Sequence, residues 1–233
     1  MPTDGAKRMR EGLKWLIAGA VLLAGLGRAD AAKLPEYVFT SARRFEPKAW
    51  MEGRERFPAG AALILVSGPV GDHGVTIMLA RGELDIEADV CSDTAPLNGL
   101  VTDLLAAAPG LRALRDATRG GVATILNEIA TAAGVGVMVT EHDIPVRATV
   151  RGASELLGID PMYVACEGRL VAVVSPEDAG RALAAMRAHP QGREAAIIGT
   201  VTAEPPGIVQ LKTAFGGTRI VDLLVGDPLP RIC

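Results

Sequence analysis

Apolar positions between residues 61 and 224 fall into short unbroken runs and longer stretches of helical period, and the two kinds alternate along the chain. AALILV, residues 61–66, is the unbroken run of a buried strand, ended by Ser67-Gly68-Pro69. Helices are expected over residues 72–81, 96–107, 121–133, 148–157 and 176–188, the last opened by Ser175 as N-cap with Pro176 in its first turn. Further strands are expected over 111–115, 135–140, 169–174, 195–201, 208–212 and 218–224. This mixture predicts an α/β (α+β) sandwich, a mixed sheet with helices on one face. The final segment, GDPLPRIC at 226–233, carries two prolines and suits neither a helix nor a central strand, so an extended tail is expected there.

The first 59 residues follow a different pattern. Lys7, Arg8, Arg10 and Lys14 precede an apolar run over 15–27, and Ala29-Asp30-Ala31 has the small-x-small form of a signal cleavage site. That run is too short to span a bilayer. Two readings stand: an export signal, or a fortuitous apolar helix at an abnormal N-terminus. Residues 34–59 show neither period and read as a linker or poorly ordered extension. The expected division is therefore an extension over 1–59, a domain over 60–225 and a tail over 226–233.

Composition sharpens that break. Residues 1–60 carry 11 Lys/Arg against 7 Asp/Glu, so the remaining residues carry 13 against 20. The whole chain has a net charge of −3, which gives no field strong enough to steer it onto nucleic acid or an anionic membrane. Three cysteines, Cys91, Cys166 and Cys233, are too few for a disulfide framework and lack metal-binding spacing. A reduced, cytoplasmic setting fits them best.

Four places could carry chemistry. The stretch 115–121, RDATRGG, leaves a strand and opens the helix that holds Asn127. Free N–H groups at a helix N-terminus, paired glycines and a forked cation together suit a phosphate, so Asp116, Thr118, Arg119, Gly120, Gly121 and Asn127 are candidate contacts. The alternative is an ordinary helix start capped by Asp116 or Thr118. No Gly-Lys-Ser/Thr follows, so this is not a P-loop. His73, in the glycine-rich turn SGPVGDHG, is a candidate proton carrier or a turn residue. Glu167 precedes a buried strand, where a carboxylate is costly unless paired or protonated; it is a candidate general base, or the ion-pair partner of Arg169. Cys233 places a thiol at the free end of a Pro-stiffened tail. It is a candidate nucleophile, with Arg231 favouring the thiolate and the terminal carboxylate opposing it, or an accident of a frayed end.

Taken together, VSGPVGDHG, SDTAPLNGLV, RDATRGGVATILNEIA, IPVRATVRGASELLGIDPMYVACEGRLVAVV, AFGGTRIVDLL and the terminal PRIC, in this order, resemble the HypE family of hydrogenase maturation factors. The resemblance runs from about residue 61 to residue 233, and the PRIC ending separates it from other ATP-using families of the same PurM-like (AIR synthase) fold. It implies a carbamoyl dehydratase that makes the cyanide ligands of nickel–iron hydrogenases. Cys233 would accept a carbamoyl group from HypF, ATP with Mg2+ would activate the carbamoyl oxygen, and Glu167 would remove N–H protons to leave a thiocyanate. The cyanide would then pass to iron held by HypC and HypD. The resemblance also implies an N-terminal domain bearing the magnesium and ATP ligands and most of a homodimer surface. Residues 1–59 do not resemble that domain, and an out-of-frame start or foreign leader is the expected cause. Cys166 stands where the family usually has asparagine. The alternatives are a truncated remnant that only docks its partners, and another AIR-synthase-like ATP-using enzyme.

Overall fold

A computed structural model describes residues 62–82 and 89–223. The N-terminal extension and Cys233 with its tail lie outside the described residues. In chain order the elements are β1 (Ala62–Val66), α1 (Asp72–Ala80), α2 (Asn98–Ala107), β2 (Leu111–Asp116), α3 (Gly121–Ala133), β3 (Gly136–Thr140), α4 (Ala148–Leu157), β4 (Leu170–Val174), α5 (Pro176–Ala188), β5 (Ala196–Thr202), β6 (Val209–Lys212) and β7 (Thr218–Ile220). Short 3-10 turns lie at Glu141–Asp143, Pro161–Tyr163 and Pro190–Gly192.

The seven strands form one sheet in the order β2-β4-β1-β5-β3-β6-β7. All neighbours are antiparallel except β3 and β6, so the expected α/β class and mixed sheet are what the chain forms. Helices on one face are not. Val171 and Val173 of β4 pack with Ile64 and Val66 of β1 under α3, while Leu170, Ala172 and Val174 face the opposite way with Leu65, beneath Leu100 and Leu104 of α2 and Ala182 and Met186 of α5. The sheet is covered on both sides at β2, β4 and β1. The reason is written in β4 itself: LVAVV is buried at all five positions, the unbroken apolar run of a strand with a core on each face. A third, smaller cluster joins Val75 and Met78 of α1 to Val150 and Ala153 of α4.

Helix starts follow their local chemistry with one difference. Ser175 occupies the N-cap of α5 with extended backbone, and Pro176 follows it, but the serine hydroxyl makes no capping bond. Asp178, in the first turn, instead accepts the Gly110 N–H and pairs with Arg181, tying α5 to the turn before β2. Burial pushes the Asp178 carboxyl up, but the Gly110 N–H and Arg181 outweigh it and hold it below the ordinary carboxylate value of 3.8. A carboxyl depressed in the folded state contributes stability above its unfolded pKa and loses it as pH falls through the folded one. The melting temperature of the parent chain should therefore exceed that of Asp178→Asn at pH 6. The gap should narrow below pH about 3.8, and thermal melts at both pH values check this.

Candidate active site

Strands β1 and β2 both pair antiparallel with β4, Val66 opposite Val171 and Asp116 opposite Leu170. Their C-terminal ends therefore meet the N-terminal end of β4. Three connections converge there: residues 67–71 after β1, 117–120 after β2, and 164–169 before β4. Main-chain bonds tie them, with Ser67 N–H to Leu170 O at 3.0 Å, Ala117 N–H to Arg169 O at 2.9 Å, Cys166 N–H to Ala117 O at 3.0 Å and Gly74 N–H to Ala165 O at 3.2 Å.

Helices α1 and α3 both start at this edge. Their N-caps, Gly71 (φ 88°) and Gly120 (φ 70°), are left-handed, and neither helix has a side-chain cap. The start left open between Asp116 and Thr118 thus falls to neither: Thr118 contributes its carbonyl, which accepts the Gly121 N–H at 3.0 Å. Gly121 is also left-handed, and a Cβ there would lie 2.6 Å from Val164 O and 3.0 Å from Tyr163 C. Only glycine lets the start of α3 press against the segment leading to Glu167. Arg119 is exposed and has no ion-pair partner among the described residues, and Asp116 is half-buried at the end of β2. The uncapped N–H groups, Thr118 and Arg119 fit an anion at this position. Asn127 has another use. Its Nδ2 donates to Ala123 O at 2.9 Å and Val221 O at 2.8 Å, so both amide hydrogens are committed, one within α3 and one holding α3 to the segment after β7.

Glu167 sits in a tight turn with Gly168, half-buried, and its carboxylate makes no hydrogen bond or ion pair among the described residues. The pairing with Arg169 does not form. Arg169 turns inward, donating from Nε to Pro69 O at 2.9 Å and lying 3.6 Å from Asp93 Oδ2 and 3.8 Å from Asp72 Oδ2. What sequence reasoning missed is this buried charge cluster under the turn. Asp72 and Asp93 are 2% and 8% exposed, and Arg147 Nε reaches Asp72 Oδ2 at 3.0 Å while its Nη2 reaches Glu194 at 2.8 Å. Burial pushes both aspartyl carboxyls above their usual range against the pull of Arg147 on Asp72 and of Arg169 on both. Asp72 opens α1 and Asp93 lies in SDT, so a signal was present as two acids beside glycine or serine, but their convergence on Arg169 spans 97 and 76 residues of chain.

His73 stands beside Asp72 in α1. Its Nδ1 lies 2.9 Å from Ser92 Oγ, while Nε2 is buried with no partner. Cys166 is fully buried; its sulfur accepts the Gly71 N–H at 3.2 Å and donates to Val164 O at 3.4 Å. Burial, then the Asp93 charge, pushes its thiol up to about 12. Because thiolate is the reactive form, a thiol-alkylating reagent on the folded chain should modify exposed Cys91 and leave Cys166 intact until denaturant is added, as peptide mass mapping would show. Among the described residues no cluster of His, Cys, Asp and Glu is placed to hold a metal ion, and Asp72 and Asp93 are turned to guanidinium groups. The described residues do not form a site that fits Mg2+. Nor, among the described residues, is any helix long and apolar enough to cross a membrane.

Residues 58–212 match the family described as AIR synthase related protein, C-terminal domain. A carbamoyl dehydratase HypE of Azotobacter vinelandii is 58% identical over 170 residues, 73% of this chain and 50% of that protein. A hydrogenase expression/formation protein HupE of Azotobacter chroococcum is 43% identical over 249 residues, 94% of this chain and 72% of that protein. Among solved structures, a HypE in complex with ATP superposes with TM-score 0.70 at 43% identity, covering 77% of this chain and 56% of that one. The HypE of a HypE–HypF complex superposes at 0.68 and 42% identity, covering 72% and 54%. The two-faced sheet with three loops gathered at one end is thus the C-terminal domain of an AIR synthase related protein. Within that class the chain belongs to the HypE family of hydrogenase maturation proteins. It spans about half the length of several of the curated relatives it matches.

Proposed function

We propose that this chain carries the carboxyl-terminal apparatus of a carbamoyl dehydratase, working in the cytoplasm on a carbamoyl group attached to its own Cys233. The observation that carries this reading is the Glu167 carboxylate, without a partner among the described residues, on a turn at the strand ends where α1 and α3 both start without side-chain caps. Cys233 Sγ bonds to the carbonyl carbon of a carbamoyl group supplied by a HypF partner, as the bond from that carbon to its donor breaks, the donor leaves with the bonding electrons and the thiol proton is released. Polarisable sulfur holds that carbon. The nucleotide, when bound, supplies a phosphoryl group that turns the carbamoyl oxygen into a leaving group. Thr118, Arg119, Gly120 and Gly121 are placed to hold phosphate oxygens at the start of α3. Glu167 accepts the N–H protons as the carbon–oxygen bond breaks to phosphate, leaving S–C≡N on Cys233. His73, at the start of α1, is a second candidate proton carrier. The cyanide then passes to iron held by HypC and HypD.

Two further readings give different results in one experiment. Phosphate release from ATP is measured with a HypF partner and carbamoyl phosphate, for the parent chain and for Cys233→Ala. A dehydratase releases phosphate only when carbamoylated, so Cys233→Ala loses the release. Another AIR-synthase-like ATP-using enzyme keeps it in Cys233→Ala, and a docking remnant shows none in either.

A further inference from the structure

Residues 89–97 form neither helix nor strand and cross the Glu167 turn as an extended strap. Asp93 is where the strap is fastened. Its Oδ1 accepts the Glu167 N–H at 2.9 Å, and its main chain packs on Gly168, where a Cβ would stand 2.8 Å from Asp93 C and 3.0 Å from Ala95 N. The carboxylate is fully enclosed, with a side-chain exposure of 0%. Its second oxygen has no hydrogen bond and faces Arg169 Nε at 3.6 Å, a nitrogen already donating to Pro69 O. Asp72, His73 and the Cys166 thiol are the other titratable groups that face it. Such a carboxylate is costly. An enclosed ion with one hydrogen bond and one loose ion pair recovers only part of its lost hydration, and a neutral side chain could hold a turn for less.

The geometry points to Asp93 as a positioning residue: its charged oxygen grips the main chain of Glu167 so that the Glu167 carboxylate is held at the strand ends with no partner of its own. A carboxylate accepting a backbone N–H makes a bond roughly twice as strong as a neutral acceptor does, and a base must be held to within about 0.5 Å to meet its proton. Burial raises the Asp93 carboxyl, while Arg169 and the Glu167 N–H oppose that, so the groups that favour its charged form are the ones that join it to the turn. The role deepens the proposed function, since it rests on Glu167 being the base.

The test has two arms on the full chain. Amide hydrogen exchange at Glu167 is followed by NMR in the parent, Asp93→Ala and Asp93→Asn, with Val171 and Val173 of β4 as controls for the fold. Losing a charge-assisted bond should speed exchange at Glu167 about 10- to 100-fold in Asp93→Ala, leave the β4 amides unchanged, and be reversed only in part in Asp93→Asn, whose Oδ1 still accepts but carries no charge. If Asp93→Ala does not fold, Asp93→Glu, which displaces the acceptor by one methylene, is read in the same way. In the second arm, dehydration of the carbamoylated tail should fall in Asp93→Ala and recover only in part in Asp93→Asn, while carbamoyl transfer to Cys233 stays constant. Unchanged exchange at Glu167 overturns the proposal, as does faster exchange with undiminished dehydration. Dehydration that survives Glu167→Gln sinks the base assignment instead, through a variant that leaves Asp93 untouched.

Discussion

The Gly168→Ala substitution is expected to lower the melting temperature by about 5 to 10 °C and to abolish dehydration. Its Cβ would enter the main chain of the strap at Asp93 and Ala95, and no flexible side chain stands there to yield. Overpacking against main chain costs about 1–3 kcal/mol, and a domain of this size loses about 2–4 °C for each. The only way to relieve the contact is to part the strap from the turn, which also breaks the bond from Glu167 N–H to Asp93. Stability and chemistry should therefore fail together. Calorimetry and the dehydration assay on one preparation check this, and a melting temperature within about 2 °C of the parent would show that the strap gives way freely.

The Glu167→Gln substitution should have the opposite signature. The side chain is half-buried and partnerless, so its amide keeps the shape, breaks no bond and should leave the melting temperature within about 2 °C of the parent. Carbamoyl transfer to Cys233 should be unaffected. Dehydration should fall by about 100- to 10,000-fold, the usual contribution of a positioned general base, because an amide cannot accept the N–H proton. Mass analysis of the C-terminal peptide would then find the carbamoyl adduct accumulating where the parent shows thiocyanate. The contrast between the two variants separates the residue that does the chemistry from the packing that holds it.

Much of this domain is legible in the sequence because its signals are local. The helices at Gly121–Ala133, Ala148–Leu157 and Pro176–Ala188 have the bounds that glycine, proline and apolar period predict. β7 stops at Ile220, short of the predicted 224: Val221 still donates its N–H to Val209 O at 2.9 Å, but its carbonyl accepts from Asn127 instead of continuing the ladder. The burial of both sheet faces was equally written in LVAVV, and the one-faced expectation passed over it. Of the site, Glu167 and the two glycine loops stand out by residue type, and the fold does bring them to one edge. The Asp72–Asp93–Arg169 cluster does not stand out, since an aspartate after a glycine or serine looks like any turn residue until a strand 76 residues later carries a guanidinium beneath it. Asn127 misleads for the same reason: a polar residue on a helix that begins with a phosphate-like loop suggests a ligand, and only the packing reveals two carbonyls waiting for it.

The most direct test of the central claim is the mass of the C-terminal peptide after the chain is incubated with a HypF partner, carbamoyl phosphate and ATP. Cys233 should first gain a carbamoyl group and then lose the equivalent of one water to become the thiocyanate, with Cys91 and Cys166 unmodified. A C-terminal peptide that keeps its original mass, or a carbamoyl adduct that persists unchanged in the presence of ATP, would contradict it.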